Sequence, residues 1–114
     1  MINFAEKKCK PCEGGTLPLI AEQAEEYLKT LPEEWRVLGG NKISKEFVLK
    51  DFVKAIAFVD RIADVAESEG HHPDIFIRYN KVEITLWTHA IGGLSENDFI
   101  VAAKIEQMSA AAFL

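Results

Sequence analysis

The chain has 114 residues, of which 48% are hydrophobic and 27% charged, a composition that predicts one soluble globular domain able to bury its own core. A formal net charge of −5 argues against nucleic acid or an anionic membrane as the main partner. No run approaches the roughly 18 apolar residues of a transmembrane helix, and MINFAEKKCK lacks the apolar core of a secretory signal. We therefore expect a cytoplasmic protein.

Residues 1–18 read as an irregular leader before a single domain at 19–114. The leader contains Cys9 and Cys12 as a C-x-x-C pair, flanked by lysines that would lower the pKa of a thiol. A structural zinc site normally takes four ligands, and the chain has no second cysteine pair. A thioredoxin-type motif would instead lie between a strand and a helix. The sequence therefore predicts a mobile, reduced segment that is dispensable for activity.

The first half of the domain predicts a helix followed by a hairpin. Apolar residues recur at helical spacing over residues 19–31, and Pro32 ends that pattern. Short strands are predicted at 35–38 and 42–48, around Gly39-Gly40-Asn41.

A second helix is predicted over residues 52–68, with Asp51 as its N-cap and Gly70 at its end. Its apolar stripe is wider than one sheet face requires. This stripe comprises Phe52, Val53, Ile56, Ala57, Phe58, Val59, Ile62, Ala63, Val65 and Ala66. Either the helix is buried on most sides, or it serves both the core and a subunit interface.

Two alternating segments, 74–79 and 82–87, predict a second hairpin with its turn at Asn80-Lys81. This turn pairs Tyr79 with Val82. One face of the hairpin is then apolar, and the other pairs opposite charges. The apolar face comprises Ile75, Ile77, Tyr79, Val82, Ile84 and Leu86, and the charged pair is Arg78 with Glu83. Continuing the same ladder puts His72 opposite His89 at the open end.

The last helix is predicted to begin after a capping box, Ser95-Glu96-Asn97-Asp98, and to continue toward Ala112. The element order is therefore α-β-β-α-β-β-α. This order predicts an α+β fold in which a four-stranded antiparallel sheet carries the helices on one face.

The spacing of the histidines and of the acidic and aromatic residues around them resembles the motif of the pterin-4a-carbinolamine dehydratase family, also called the dimerisation cofactor family. The resemblance spans about residues 16–107 and includes the segments LPEEW, YNKVEITLWTH and GLSEND. Its motif is matched by Glu67, His71-His72-Pro73, Tyr79, His89 and Asp98.

The resemblance implies dehydration of 4a-hydroxytetrahydropterin by His71, His72 and His89. Imidazole titrates near neutral pH, and the substrate nitrogen supplies the electron pair, so neither metal nor cofactor is required. Of the three, His71 and His89 are expected to transfer protons while His72 holds the pterin.

The remaining residues of the motif carry different expectations. The pterin neighbours implied by the resemblance are Gly70, Trp87, Thr88 and Asp98. Asp98 is explained equally well as a helix cap. Glu67 is expected to be a solvated helix position and Tyr79 a core aromatic.

The resemblance also implies a homodimer or homotetramer and a link to an aromatic amino-acid hydroxylase. Two rival functions remain open. His72 and His89 could share a metal ion with Asp74 or Asp98 as third ligand. Alternatively, the chain could be a non-catalytic interaction module that docks through the helix at 52–68, since animal members of the family also bind a homeodomain transcription factor.

Overall fold

A computed structural model describes residues 2–11 and 16–112, with side chains described as far as Met108. Its elements are α1 (Ala21–Leu28), β1 (Arg36–Leu38), β2 (Lys42–Val48), α2 (Phe52–Glu69), β3 (Asp74–Arg78), β4 (Lys81–Leu86) and α3 (Glu96–Ala112). The four strands form one antiparallel sheet in the order β1-β2-β4-β3. The predicted α+β class and element order are confirmed. None of the described helices has the length and apolar character needed to cross a bilayer.

The core lies between one face of the sheet and the helices α2 and α3. On the two central strands, Ile43 pairs with Leu86 and Phe47 with Val82, and all four side chains are buried. The helices complete the core with aromatic and aliphatic residues, among them Ala55, Phe58, Ile62, Phe99, Ile100 and Ile105. The helical period and the strand period thus bring their apolar positions to one shared layer.

The second hairpin turns one residue earlier than the sequence predicts. Its turn is Tyr79-Asn80, so Ile77 pairs with Val82 rather than Tyr79. Asn80 is fixed to the end of β2, because its side chain donates to the Leu49 carbonyl at 3.0 Å and its carbonyl accepts from Leu49 N at 2.8 Å. A register shift of two residues leaves the side chains that remain in the strands on their predicted faces, because strands alternate with period two.

The shift does change which side chains meet. Arg78 lies opposite Lys81 and forms its ion pair with Glu46 at 2.5 Å, so the predicted Arg78–Glu83 pairing is wrong. Tyr79 has φ of 54° at the turn and is 68% exposed, so the prediction of a core aromatic is also wrong.

The helix α2 has both predicted caps. Asp51 accepts from Lys54 N at 2.8 Å, and Gly70 adopts φ of 65°, which glycine tolerates without steric cost. Only one side of the wide apolar stripe is buried, and at the N-terminal end Phe52 and Val53 remain exposed.

Residues 2–11 pack against the domain. Phe4 is only 2% exposed, and its ring lies 5.0 Å from Tyr27 and 5.9 Å from Phe99, measured between centroids. The Lys104 ammonium donates to the Ala5 carbonyl at 2.9 Å. The expectation of a loose leader is therefore wrong for these residues, while Cys12 lies outside the described part of the chain.

Candidate active site

The candidate site forms where α2, β4 and α3 approach one another at the open end of the second hairpin. The left-handed Gly70 ends α2 and turns the chain into His71 and His72. On the other side, Thr88 bridges to Gly93, with its N–H donating to the Gly93 carbonyl at 2.8 Å. This bridge closes a short loop that presents His89.

These elements enclose a pocket of about 550 Å³, within the size range of small-molecule sites. The pocket is lined by Cys9, Lys10, Pro11, Glu69, Gly70, His71, His72, Trp87, Thr88, His89, Ala90 and Asn97. All three histidines of the chain therefore face one cavity, together with the predicted neighbours Gly70, Trp87 and Thr88.

His71 is held by the buried carboxylate of Asp98. Its Nε2 lies 2.6 Å from Asp98 Oδ1, while the His71 side chain is 12% exposed and that of Asp98 is 0% exposed. A carboxylate can only accept, so Nε2 carries the proton of this contact. Among the described residues, Nδ1 of His71 has no hydrogen-bond partner, which leaves its lone pair available to a bound molecule.

The second oxygen of Asp98 caps α3. Asp98 Oδ2 accepts from Ser95 N at 3.0 Å and from the Thr88 hydroxyl at 2.9 Å. The Ser95 hydroxyl accepts from Asn97 N at 3.2 Å, one position earlier than a standard capping box. The expected cap is thus present, and the same carboxylate holds His71. Asp98 itself is fully buried and is not among the residues that line the pocket.

His72 has a more open environment. Its Nε2 lies 2.5 Å from Glu67 Oε2, and both side chains are largely exposed. Glu67 is a solvated helix position, as expected, and it also contacts the site. An exposed pair of this kind contributes little to stability, with a median of about 0–1 kcal/mol.

His89 stacks on Trp87. Their ring centroids are 4.0 Å apart with a 34° interplanar angle, and Trp87 Nε1 donates to Asp74 Oδ2 at 3.3 Å. Because Asp74 pairs with Thr85, the observed ladder extrapolates to His72 beside Trp87, not beside His89. The predicted direct opposition of His72 and His89 is therefore wrong, although both residues line the same pocket.

The rival metal interpretation finds no matching donor set in the described part of the chain. Among residues 2–11 and 16–108, no three His, Cys, Asp or Glu side chains are placed to hold one ion. The proposed third ligands have other partners, since Asp98 contacts His71 and Asp74 contacts Trp87.

One part of the pocket was not predicted from the sequence, namely the side formed by residues 9–11 and the side chains that hold them. Cys9, Lys10 and Pro11 line the cavity, as do Glu69 and Asn97. Glu69 lies two residues before His71 and Asn97 one residue before Asp98, so their positions beside the motif were the available signal.

The pKa of the Cys9 thiol is raised, whereas the flanking lysines in the sequence predicted that it would be lowered. Burial, followed by the nearby Glu69 carboxylate, raises the pKa of the thiol to about 12, and the opposing effect of the Lys104 ammonium does not reverse this. Cys9 is therefore a protonated thiol at neutral pH and a poor nucleophile.

Comparison with known proteins gives a consistent match. The family model described as pterin 4 alpha carbinolamine dehydratase matches residues 17–108. A protein of Alkaliphilus metalliredigens, provisionally named pterin-4-alpha-carbinolamine dehydratase, is 47% identical over 107 residues, covering 94% of this chain and 96% of that protein.

Two solved structures have similar folds. One is a transcriptional coactivator/pterin dehydratase from Brucella melitensis, 35% identical with a TM-score of 0.75, covering 80% of this chain and 97% of that one. The other is a pterin dehydratase-like protein described as a RuBisCO assembly factor in the alpha-carboxysome. It is 26% identical with a TM-score of 0.60, covering 70% of this chain and 94% of that one.

Proposed function

Because this chain belongs to the pterin-4-alpha-carbinolamine dehydratase family of hydro-lyases, we propose that it converts 4a-hydroxytetrahydropterin to quinonoid dihydropterin and water through histidine acid–base catalysis. One observation carries the proposal: three histidines in three different environments line one pocket of about 550 Å³. The family match covers all three positions.

The reaction requires one acid and one base. The 4a-oxygen must accept a proton before it leaves as water, the N5 lone pair forms the double bond to C4a, and N5 then loses its proton. Positioned side chains typically accelerate such proton transfers by about 10²–10⁴-fold. Imidazole is suited to both roles, because its unperturbed pKa lies close to neutrality.

His71 is proposed as the base that takes the N5 proton. Its contact with Asp98 places the ring proton on Nε2 and leaves Nδ1 with a lone pair. When Nδ1 accepts a proton, the carboxylate 2.6 Å away stabilises the positive ring. The proton later returns to solvent.

His89 is proposed as the acid that protonates the 4a-hydroxyl. It is exposed at the pocket rim, so solvent can reprotonate it after each turnover, and stacking on Trp87 fixes its ring plane. His72, paired with Glu67, is proposed to hold the pterin.

A turnover assay tests the proposal. The formation of quinonoid dihydropterin from enzymatically generated 4a-hydroxytetrahydropterin is followed by absorbance, and its rate is compared with the rate of spontaneous dehydration. We expect catalysis by the wild type and near-complete loss in the variant combining His71→Ala and His89→Ala. A folded double variant with wild-type kcat would contradict the mechanism, and an inactive wild type would favour the interaction-module alternative.

We also propose a homodimer or homotetramer that works beside an aromatic amino-acid hydroxylase. Support for self-association comes from the apolar side chains left exposed near the start of α2, namely Val48, Phe52 and Val53, and from the unpaired edge of β3. Light scattering at micromolar concentration should give a mass above the monomer's, and a monomer alone would contradict this assembly.

A further inference from the structure

The pocket has one wall that the catalytic motif does not provide. Cys9, Lys10 and Pro11 line the same cavity as the three histidines, although they precede His71 by about sixty residues in the chain. Nothing in the proposed acid–base mechanism uses these residues. Their position instead suggests a part in binding.

Two largely buried side chains hold this wall through its backbone. Cys9 N donates to Glu69 Oε1 at 2.8 Å, and the Glu69 side chain is 4% exposed. Asn97 makes a two-point contact with Lys10, accepting from Lys10 N at 3.0 Å and donating to Lys10 O at 2.6 Å. Such pairing fixes a backbone segment in both position and direction.

Charge reinforces the first of these anchors. Burial alone would raise the pKa of Glu69, but the Cys9 N–H and the ammonium groups of Lys104 and Lys8 outweigh it and hold this pKa below its usual value. Glu69 is thus a carboxylate at neutral pH, and its hydrogen bond to the Cys9 backbone is charge-assisted.

The anchors also connect the wall to the catalytic groups. Glu69 ends α2 just before Gly70 and His71, while Asn97 lies in the first turn of α3 beside Asp98. The elements that fix His71 and Asp98 therefore also fix the wall, so its distance from the histidines is set by the fold.

We propose that the segment Cys9–Pro11 is a substrate-contacting wall of the pterin pocket, held by Glu69 and Asn97 and determining how tightly the substrate binds. This inference rests on the proposed function. It assigns residues Cys9–Pro11 a role in binding that does not require the Cys9 thiol, because Glu69 and Asn97 hold backbone atoms of Cys9 and Lys10.

The test measures binding and turnover separately in two variants. Asn97→Ala removes the two-point anchor, and Pro11→Ala trims an exposed side chain of the wall without touching an anchor. Gln107→Ala, an exposed amide on the same helix and outside this pocket, is the matched control. The probe is a tetrahydropterin, which lacks the 4a-hydroxyl and cannot be dehydrated, and quenching of Trp87 fluorescence reports its binding.

We expect Kd and KM to rise about 10-fold in Asn97→Ala and by a smaller factor in Pro11→Ala, with kcat changed less than about 3-fold, because only uniform binding is lost. Gln107→Ala should match the wild type. If Asn97→Ala fails to fold, the Kd and KM of Pro11→Ala alone test the proposed wall.

Unchanged Kd and KM in folded variants would refute the wall while leaving the proposed function intact. A fall in kcat at constant Kd would also refute it, since Asn97 would then only position Asp98. A wild type that neither binds nor dehydrates pterin would refute the proposed function as well.

Discussion

Replacing Asp98 by Asn tests whether this carboxylate fixes the protonation pattern of His71. The substitution keeps the size of the side chain, and the amide oxygen can still accept from Ser95 N and the Thr88 hydroxyl. The amide nitrogen then faces His71 Nε2 and donates to it. Nε2 must become the acceptor, so the ring proton moves to Nδ1 and removes the lone pair needed for the proposed base.

The structure sets the size of both effects. Asp98 is fully buried, so solvent does not screen its contacts. Hydrogen bonds to charged groups contribute about 1.5–3 kcal/mol and neutral ones about 0.5–1.5, so we expect a loss of about 1–3 kcal/mol in the free energy of unfolding. Because the wrong ring nitrogen is protonated, kcat should fall about 10²–10⁴-fold.

Urea unfolding and stopped-flow dehydration kinetics measure the two effects on the same preparation. Glu96→Gln is the matched control, since it makes the same acid-to-amide change two residues earlier on α3, where the side chain is partly exposed and pairs with Lys7. That variant should keep wild-type kcat. A folded Asp98→Asn protein with wild-type kcat would show that the Asp98 contact does not set the tautomer.

The remaining predictions concern the exposed histidines, the buried glutamate and the thiols. His72→Ala and His89→Ala should each lower the free energy of unfolding by less than about 1 kcal/mol, because both side chains are exposed. In turnover assays His72→Ala should chiefly raise KM, whereas His89→Ala should chiefly lower kcat. Equal effects of each variant on KM and kcat would contradict these roles. The folded-state pKa of Glu69 lies below its unfolded value, so its stabilisation is present above about pH 4.3 and is lost as the pH falls through the folded pKa. As the pH falls below about 4.3, the urea midpoint of Glu69→Gln should therefore change less than that of the wild type, and parallel curves would refute this. Changing both Cys9 and Cys12 to Ser should leave turnover within about 2-fold, because the Cys9 thiol, whose pKa is raised to about 12, stays protonated at neutral pH and the chain has no further thiols to complete a site. Exhaustive chelation should likewise leave turnover within about 2-fold, and rescue by added metal would revive the metal interpretation.

Much of the fold could be predicted because it depends on local patterns. Asp51 and Gly70 bound α2 as expected, since capping and left-handed backbone are properties of a few neighbouring residues. The apolar and polar faces of the second hairpin were also predictable, because alternation survives a shift of two residues.

The exact register of that hairpin was decided by a tertiary contact. Asn80 is fixed by two hydrogen bonds to Leu49, more than thirty residues away, and this moves the turn by one residue. Tyr79 consequently lies in solvent, whereas local periodicity placed it in the core.

For the site, the sequence by itself identified the candidate residues, since the spacing of His71, His72, His89 and Asp98 matches a family motif that can be read along the chain. Only the tertiary structure decided their partners. In the folded chain Asp98 hydrogen-bonds to His71, Trp87 stacks on His89, and residues Cys9–Pro11 line the same pocket as the histidines. The physical reason is that a local pattern specifies the backbone conformation of an element and which of its faces is exposed to solvent. The wall depends instead on hydrogen bonds from the backbone of Cys9 and Lys10 to Glu69 and Asn97, which lie 60 and 87 positions further along the chain.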